Sequence, residues 1–272
     1  MWKWIAIILA FALVTTEGRS EPASALRTLM TGDDSRGWQA VGRLNIGGKS
    51  FCTGALIEAD LVLTAAHCLY DRETGRRFAA GEIEFLADLR AGRATAYRGV
   101  RQALTHPEFR FEEASSPARV AHDLALLRLD QPIRKTSITP FETRPRPRKG
   151  AEVGVVSYAH DRADSPALQE LCHVLARQSG ALVLSCDVDF GSSGAPVFVQ
   201  EDGVARIVSV VSAKAQVRGR KVALGTSVAE SLPDLRAAMA ASDGVFTRAG
   251  ASVRRLSVDE ARSGTGAKFV RP

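Results

Sequence analysis

Residues 186–199 read CDVDFGSSGAPVFV. Ser193 stands there between Gly191 and Gly194, ahead of Pro196 and the apolar run Val197, Phe198, Val199, the pattern of a tight turn feeding a strand. Glycine on either side lets main-chain N–H groups approach whatever sits on the serine oxygen, and such donors stabilise an oxyanion. Alone, Gly-Ser-Ser-Gly is an ordinary turn. Its meaning depends on what else the chain supplies.

Working outward, short runs rich in apolar or β-branched residues recur at 38–45, 51–57, 61–65, 83–86, 94–104, 124–129, 153–158, 172–176, 182–186, 197–199, 205–211 and 222–228. Many short strands with turn punctuation predict an all-β barrel or sandwich. The stretch 144–150, RPRPRKG, has two prolines and no other apolar residue, and predicts an extended, solvated connector. The sequence SLPDLRAAMAA at 231–241 has the composition of a helix with Pro233 in its first turn. Gly32, Asp33, Asp34, Ser35 and Gly37 predict an irregular segment ahead of the first strand.

At the start, Met1-Trp2-Lys3-Trp4 precedes an apolar run over 5–14, the pattern of a secretory signal too short to span a bilayer. Cleavage is expected after Gly18 or after Ala25, so the mature chain is expected outside the cytoplasm, secreted or periplasmic, with no stable membrane insertion. The domain reading is signal 1–25, a first barrel over 37–143, the connector 144–150, a second barrel with the helix over 151–241, and a basic flexible tail over 242–272.

The 272 residues are 45% apolar, as in a globular protein, with a formal net charge of +6. Half of that excess lies in 142–150, where Arg144, Arg146, Arg148 and Lys149 outnumber Glu142; the tail from 240 onward carries the rest. A basic face built into the fold, the footprint of a nucleic-acid binder, is not visible, so no nucleic-acid partner is expected.

Four cysteines in an exported chain favour disulfides. Of three connectivities, Cys52–Cys68 and Cys172–Cys186 close short loops between strand-like segments, each contributing about 3 kcal/mol by loop entropy. A zinc site from His67, Cys68, Cys172 and His173 fits no common ligand spacing. No metal or cofactor is expected.

Two further stretches carry chemistry. TAAHC at 64–68 places His67 at a strand end beside a cysteine, and HDLALLRL at 122–129 places Asp123 directly ahead of an apolar strand. A carboxylate buried there needs a hydrogen-bond partner, which a histidine N–H supplies. In order along the chain, TAAHC, DLALLRL and GSSGAP resemble the three catalytic blocks of the trypsin/chymotrypsin-like serine peptidases, and WQAVGRLN and FCTGALI resemble the opening strands of that fold. The likeness covers roughly residues 37–240. The form GSSGAP, with a cysteine seven residues before the serine, looks more like the bacterial secreted branch, which includes glutamyl-endopeptidase-like enzymes.

The resemblance implies two six-stranded antiparallel β-barrels with the active site between them and a C-terminal helix. It also implies a serine endopeptidase, acting as a monomer on polypeptide substrates. Ser193 would be the nucleophile, His67 the general base and Asp123 the residue that orients it, with the N–H groups of Gly191 and Ser193 as oxyanion hole. The alternative is a peptidase-fold binding protein without activity. An α/β-hydrolase is disfavoured because Gly-Ser-Ser-Gly does not satisfy G-x-S-x-G.

The sequence departs from the animal pattern at Ser192, where those enzymes carry the aspartate that pairs with a newly cut N-terminus. Arg27 precedes Thr28 and Arg36 precedes Gly37, so no Arg-Ile or Arg-Val cleavage site precedes Trp38 either. A pocket formed without that switch is expected. For specificity, Asp187 matches the carboxylate that binds Arg or Lys, or is a structural carboxylate. Ile207-Val208-Ser209-Val210-Val211 resembles the pocket-lining segment, with Ser209 in the wall and Val211 where a glycine usually opens the pocket. Arg/Lys, small apolar residues and Glu all remain open.

Overall fold

The computed structural model describes residues 23–111, 116–217 and 219–243. Of the signal expected over 1–25 and the tail expected over 242–272, residues 1–22 and 244–272 lie outside the described residues. In chain order the elements are β1 (Arg27–Thr28), β2 (Val41–Ile46), β3 (Ser50–Glu58), β4 (Leu61–Thr64), β5 (Ile83–Ala87), β6 (Ala96–Thr105), α1 (Pro117–Ala121), β7 (Ala125–Leu129) and β8 (Glu152–Ala159). They continue as β9 (Arg162–Gln178), β10 (Ala181–Leu184), β11 (Pro196–Glu201), β12 (Val204–Val217), β13 (Arg220–Ser227) and α2 (Val228–Asp243).

Strands β2-β3-β4-β7-β6-β5 close into one antiparallel barrel. In the second sheet, β8-β9-β10-β13-β12-β11 return to β8 and form a six-membered ring, and β1 is added outside it on β9. The all-β architecture with a C-terminal helix is therefore present. Alternation sets the register: in β2, Gly42, Leu44 and Ile46 are buried while Arg43 and Asn45 are half-buried. One core runs through the first barrel and into its seam with the second, where Phe198 packs on Trp38 and Phe141 with ring centroids 5.0 and 4.7 Å away. Another, around Val155, Val174, Leu184, Val197 and Val208, fills the second barrel. The Tyr158 hydroxyl donates to Leu89 O at 3.0 Å across that seam.

The connector is extended and mostly exposed, as expected, and is anchored at three points: Pro147 is buried, Arg146 pairs with Glu230 at 2.8 Å and Arg144 with Glu201 at 3.3 Å. Two local expectations need correction. Helix α2 starts at Val228, so Pro233 lies inside it; the apolar residues Val228, Leu232, Leu235 and Met239, spaced as one helical face, are all buried and carry the helix through the proline. Ahead of the turns at 31–40, the segment from Ser24 to Leu29 docks on the second barrel. The Ser24 amide donates to Leu171 O at 2.8 Å, Arg27 and Thr28 pair with Leu168 and Ala167, and Leu29 is fully buried. A two-residue strand carries no periodicity to be read from sequence.

Candidate active site

Strand β4 is buried throughout and ends at Thr64, and a 3-10 turn over Ala66–Leu69 follows it. His67 sits on that turn, fixed by the Cys52–Cys68 disulfide to β3. The second disulfide joins Cys172 on β9 to Cys186 at the base of the serine loop. Cys52, His67 and Cys68 bring their ligand atoms within 4.8 Å of one another, and Cys172 is likewise oxidised. With every sulfur spent in a disulfide, neither this cluster nor the four residues weighed from sequence present a thiolate to a metal.

Asp123 lies between α1 and β7 and is 1% exposed. Its Oδ1 accepts the His67 backbone N–H at 2.8 Å, and its Oδ2 lies 2.7 Å from His67 Nδ1. The Ser212 hydroxyl donates to the same Oδ2. Burial pushes this carboxyl toward its neutral form, but the His67 charge and the His67 and Ser212 hydrogen bonds outweigh it and hold Asp123 below the usual carboxylate range. An ionised Asp123 accepts, so the geometry assigns the proton to Nδ1 and leaves Nε2 as the basic nitrogen.

His67 and Ser193 line one cleft of about 420 Å³, together with Val188, Asp189, Phe190 and Val211–Lys214. The serine loop is held from several directions. On β3, Thr53 is fully buried; its N–H donates to Ser193 O at 2.8 Å and its hydroxyl to Gly191 O at 2.9 Å. Gly194 has φ +80°, and a Cβ there would stand 2.1 Å from Thr64 Oγ1; at Gly191, with φ +96°, it would stand 2.3 Å from the Phe51 ring. Ser192 N–H donates to Asp189 O, Gly194 N–H to Val211 O and Ala195 N–H to Ser192 O. The N–H groups of Gly191 and Ser193 have no such acceptor among the described residues. Two unengaged amides thus lie between engaged ones in the loop of a half-buried serine.

The specificity residues fall differently. Val211 lines the cleft, whereas Asp187 and Ser209 are outside its lining. Asp187 is exposed and its N–H donates to Gln169 Oε1 at 2.8 Å. Ser209 is fully buried and donates to Thr226 O at 2.8 Å. The wall that the sequence placed around Ser209 is formed three residues later by Ser212, Ala213 and Lys214. A register shift in the β12–β13 pairing between Val211 and Ala213 turns Ser212 toward Asp123. Sequence reading also missed Thr53, whose signal is a buried hydroxyl in the otherwise apolar run FCTGALI, and the Asp189–Lys214 pair, which has none.

A solved structure of a Glu endopeptidase in complex with MPD superposes with a TM-score of 0.66, covering 82% of this chain and all of that one, at 17% identity. Trypsin from Sarcophaga bullata is 33% identical over 87 residues, which are 32% of this chain and 30% of that protein. Kallikrein 1-related peptidase-like b4 from Mus musculus is 31% identical over 151 residues, 53% of this chain and 54% of that protein. Coagulation factor XII from Bos taurus is 38% identical over 83 residues, 30% of this chain and 12% of that protein. The matches thus span well under two thirds of the length of these animal relatives. The model of the trypsin family matches residues 30–232, most of the chain, and the protein belongs to that family.

Proposed function

We propose that the protein is an exported serine endopeptidase hydrolysing peptide bonds through an acyl-enzyme. Ser193 Oγ attacks the substrate carbonyl while His67 Nε2 takes its proton and later delivers it to the leaving amine. Asp123 holds the imidazole in the required tautomer and stabilises its cation. The amides of Gly191 and Ser193 receive the oxyanion, each such donor being worth about 3 kcal/mol of barrier. The observation that carries this reading is the buried, triply hydrogen-bonded Asp123 against His67, which lines one cleft with Ser193.

Support for a loop formed without a new N-terminus comes from Ser192. It is fully buried, with its hydroxyl 3.2 Å from both Ser157 Oγ and Tyr158 O and accepting the Asp189 N–H at 3.3 Å. The form GSSGAP, with Cys186 seven residues before Ser193, supports a proposed place in the bacterial secreted branch, while the relatives named above are animal proteins. Two disulfides support a mature location outside the reducing cytoplasm. Labelling of Ser193 by a fluorophosphonate and cleavage of casein, both abolished in Ser193→Ala with an unchanged melting temperature, are the expected results. Casein cleavage by Ser193→Ala at the original rate, or an unlabelled wild type, would overturn the assignment.

A further inference from the structure

The wall residues bear on which side chain the cleft takes next to the scissile bond. Two segments flank Ser193: the loop Val188-Asp189-Phe190 and the bend of β12 at Val211-Ser212-Ala213-Lys214. Val188, Val211 and Ala213 give them apolar surfaces. Lys214 reaches from β12 to the loop, where its Nζ meets Asp189 Oδ1 at 2.5 Å and lies 4.0 Å from the centroid of the Phe190 ring. Asp189 is oriented for this contact, because Oδ1 also accepts the Phe190 N–H at 2.8 Å and Oδ2 lies 3.7 Å from His160 Nδ1. The lysine stem, its ion pair and the ring beneath it make a strut from one wall to the other.

We propose that the subsite beside Ser193 takes a small uncharged side chain, such as Ala or Val, and that the Lys214–Asp189 strut sets this limit. The proposal rests on the peptidase reading above and goes further by naming a substrate class. A long or aromatic side chain would have to displace the strut. An Arg or Lys side chain finds no carboxylate to bind, since Asp187 is exposed outside the lining and Asp189 is already paired. An acidic side chain gains little from Lys214 for the same reason: the cation is neutralised by Asp189, which Lys214 holds ionised below the usual carboxylate range. Arg72 and Arg119 line the same cleft, Arg119 from α1, and stack on Phe190 and on Phe109 and Phe111 respectively.

The test uses the full mature protein, first titrated with a fluorophosphonate so that active sites are counted independently of peptide preference. Peptides differing only in the residue before the scissile bond (Ala, Val, Phe, Glu, Arg) are then compared by kcat/KM per labelled site. Ala and Val should exceed Phe, Glu and Arg by about tenfold or more, the discrimination that a pocket spanned by the strut gives. In Lys214→Gly the Phe-to-Ala ratio should rise about tenfold, and in Asp189→Asn, which leaves Lys214 unneutralised, the Glu-to-Ala ratio should rise by a similar factor. Both side chains are well exposed, at 49% and 37%, so the variants should keep the wild-type melting temperature. A labelled wild type that prefers Arg, Glu or Phe overturns the proposal, as does a folded Lys214→Gly with unchanged ranking. Absence of labelling overturns the peptidase reading and this proposal with it.

Discussion

Ser212 donates its hydroxyl hydrogen bond to Oδ2 of Asp123, the same oxygen that lies 2.7 Å from His67 Nδ1. Residues from the two barrels thus meet on one buried atom. A hydrogen bond to a charged group is worth about 1.5–3 kcal/mol. Ser212→Ala is therefore expected to lower kcat by roughly ten- to a hundredfold with little change in KM. Because the lost donor helped hold Asp123 ionised, the acid limb of the rate profile should also move to higher pH. A proportional loss of rate at every pH would show that Ser212 is merely structural.

Thr53 plays the corresponding part for the serine loop. Its hydroxyl donates to Gly191 O and accepts the Tyr158 N–H at 3.1 Å, and all three groups are buried. Thr53→Val keeps the shape and strands both partners, at about 1–3 kcal/mol of stability. The phosphonate labelling rate should fall as well, since Gly191 is then free to turn. Urea unfolding and labelling kinetics on the same sample check the pair of effects; full stability with slow labelling would contradict the mechanism.

At Ser192, restoring the aspartate of the animal pattern should harm the protein. The site is fully enclosed and the Ser192 hydroxyl meets Tyr158 O, Ser157 Oγ and the Asp189 N–H, with no cation in direct contact among the described residues. Ser192→Asp buries an unpaired carboxylate or its protonated form, an expected loss of several kcal/mol and a marked fall in melting temperature. Conversely, adding residues ahead of the natural mature start should leave activity intact. The docked segment itself favours signal cleavage after Gly18, since cleavage after Ala25 discards Ser24 and its bonds to Leu171. Mass spectrometry of the exported protein decides between the two.

The acid side of stability should report Asp123. Its folded carboxyl lies below its ordinary value of 3.8, so it binds fewer protons folded than unfolded as pH falls through that region. The contribution is complete above 3.8 and is lost as pH drops from there through the lowered folded value. Other paired carboxylates, such as Glu82 with a value of about 2 beside Arg76, shape the same limb. The informative quantity is the difference between wild type and Asp123→Asn, which should shrink as pH falls below 3.8. A difference constant from pH 7 to pH 2 would contradict it.

What the sequence determined by itself is what local pattern encodes. Alternating apolar runs located the strands from β2 to β13, short loops between cysteines indicated the disulfides, and TAAHC, DLALLRL and GSSGAP carried the family and three side chains for the site. Tertiary structure decided the rest. Serines 209 and 212 lie on one strand in similar local sequence, and a register shift decided which of them meets Asp123. Asp187 and Asp189 both lie near the serine, and the position of Lys214 on another strand decided which forms the strut. Two of the four connector charges, Arg144 and Arg146, met Glu201 and Glu230, and β1 exists because β9 offers it an edge. Periodicity records which way a side chain points along its own element; which partner it finds there depends on strands brought together from a hundred residues away, and that choice has no local signature.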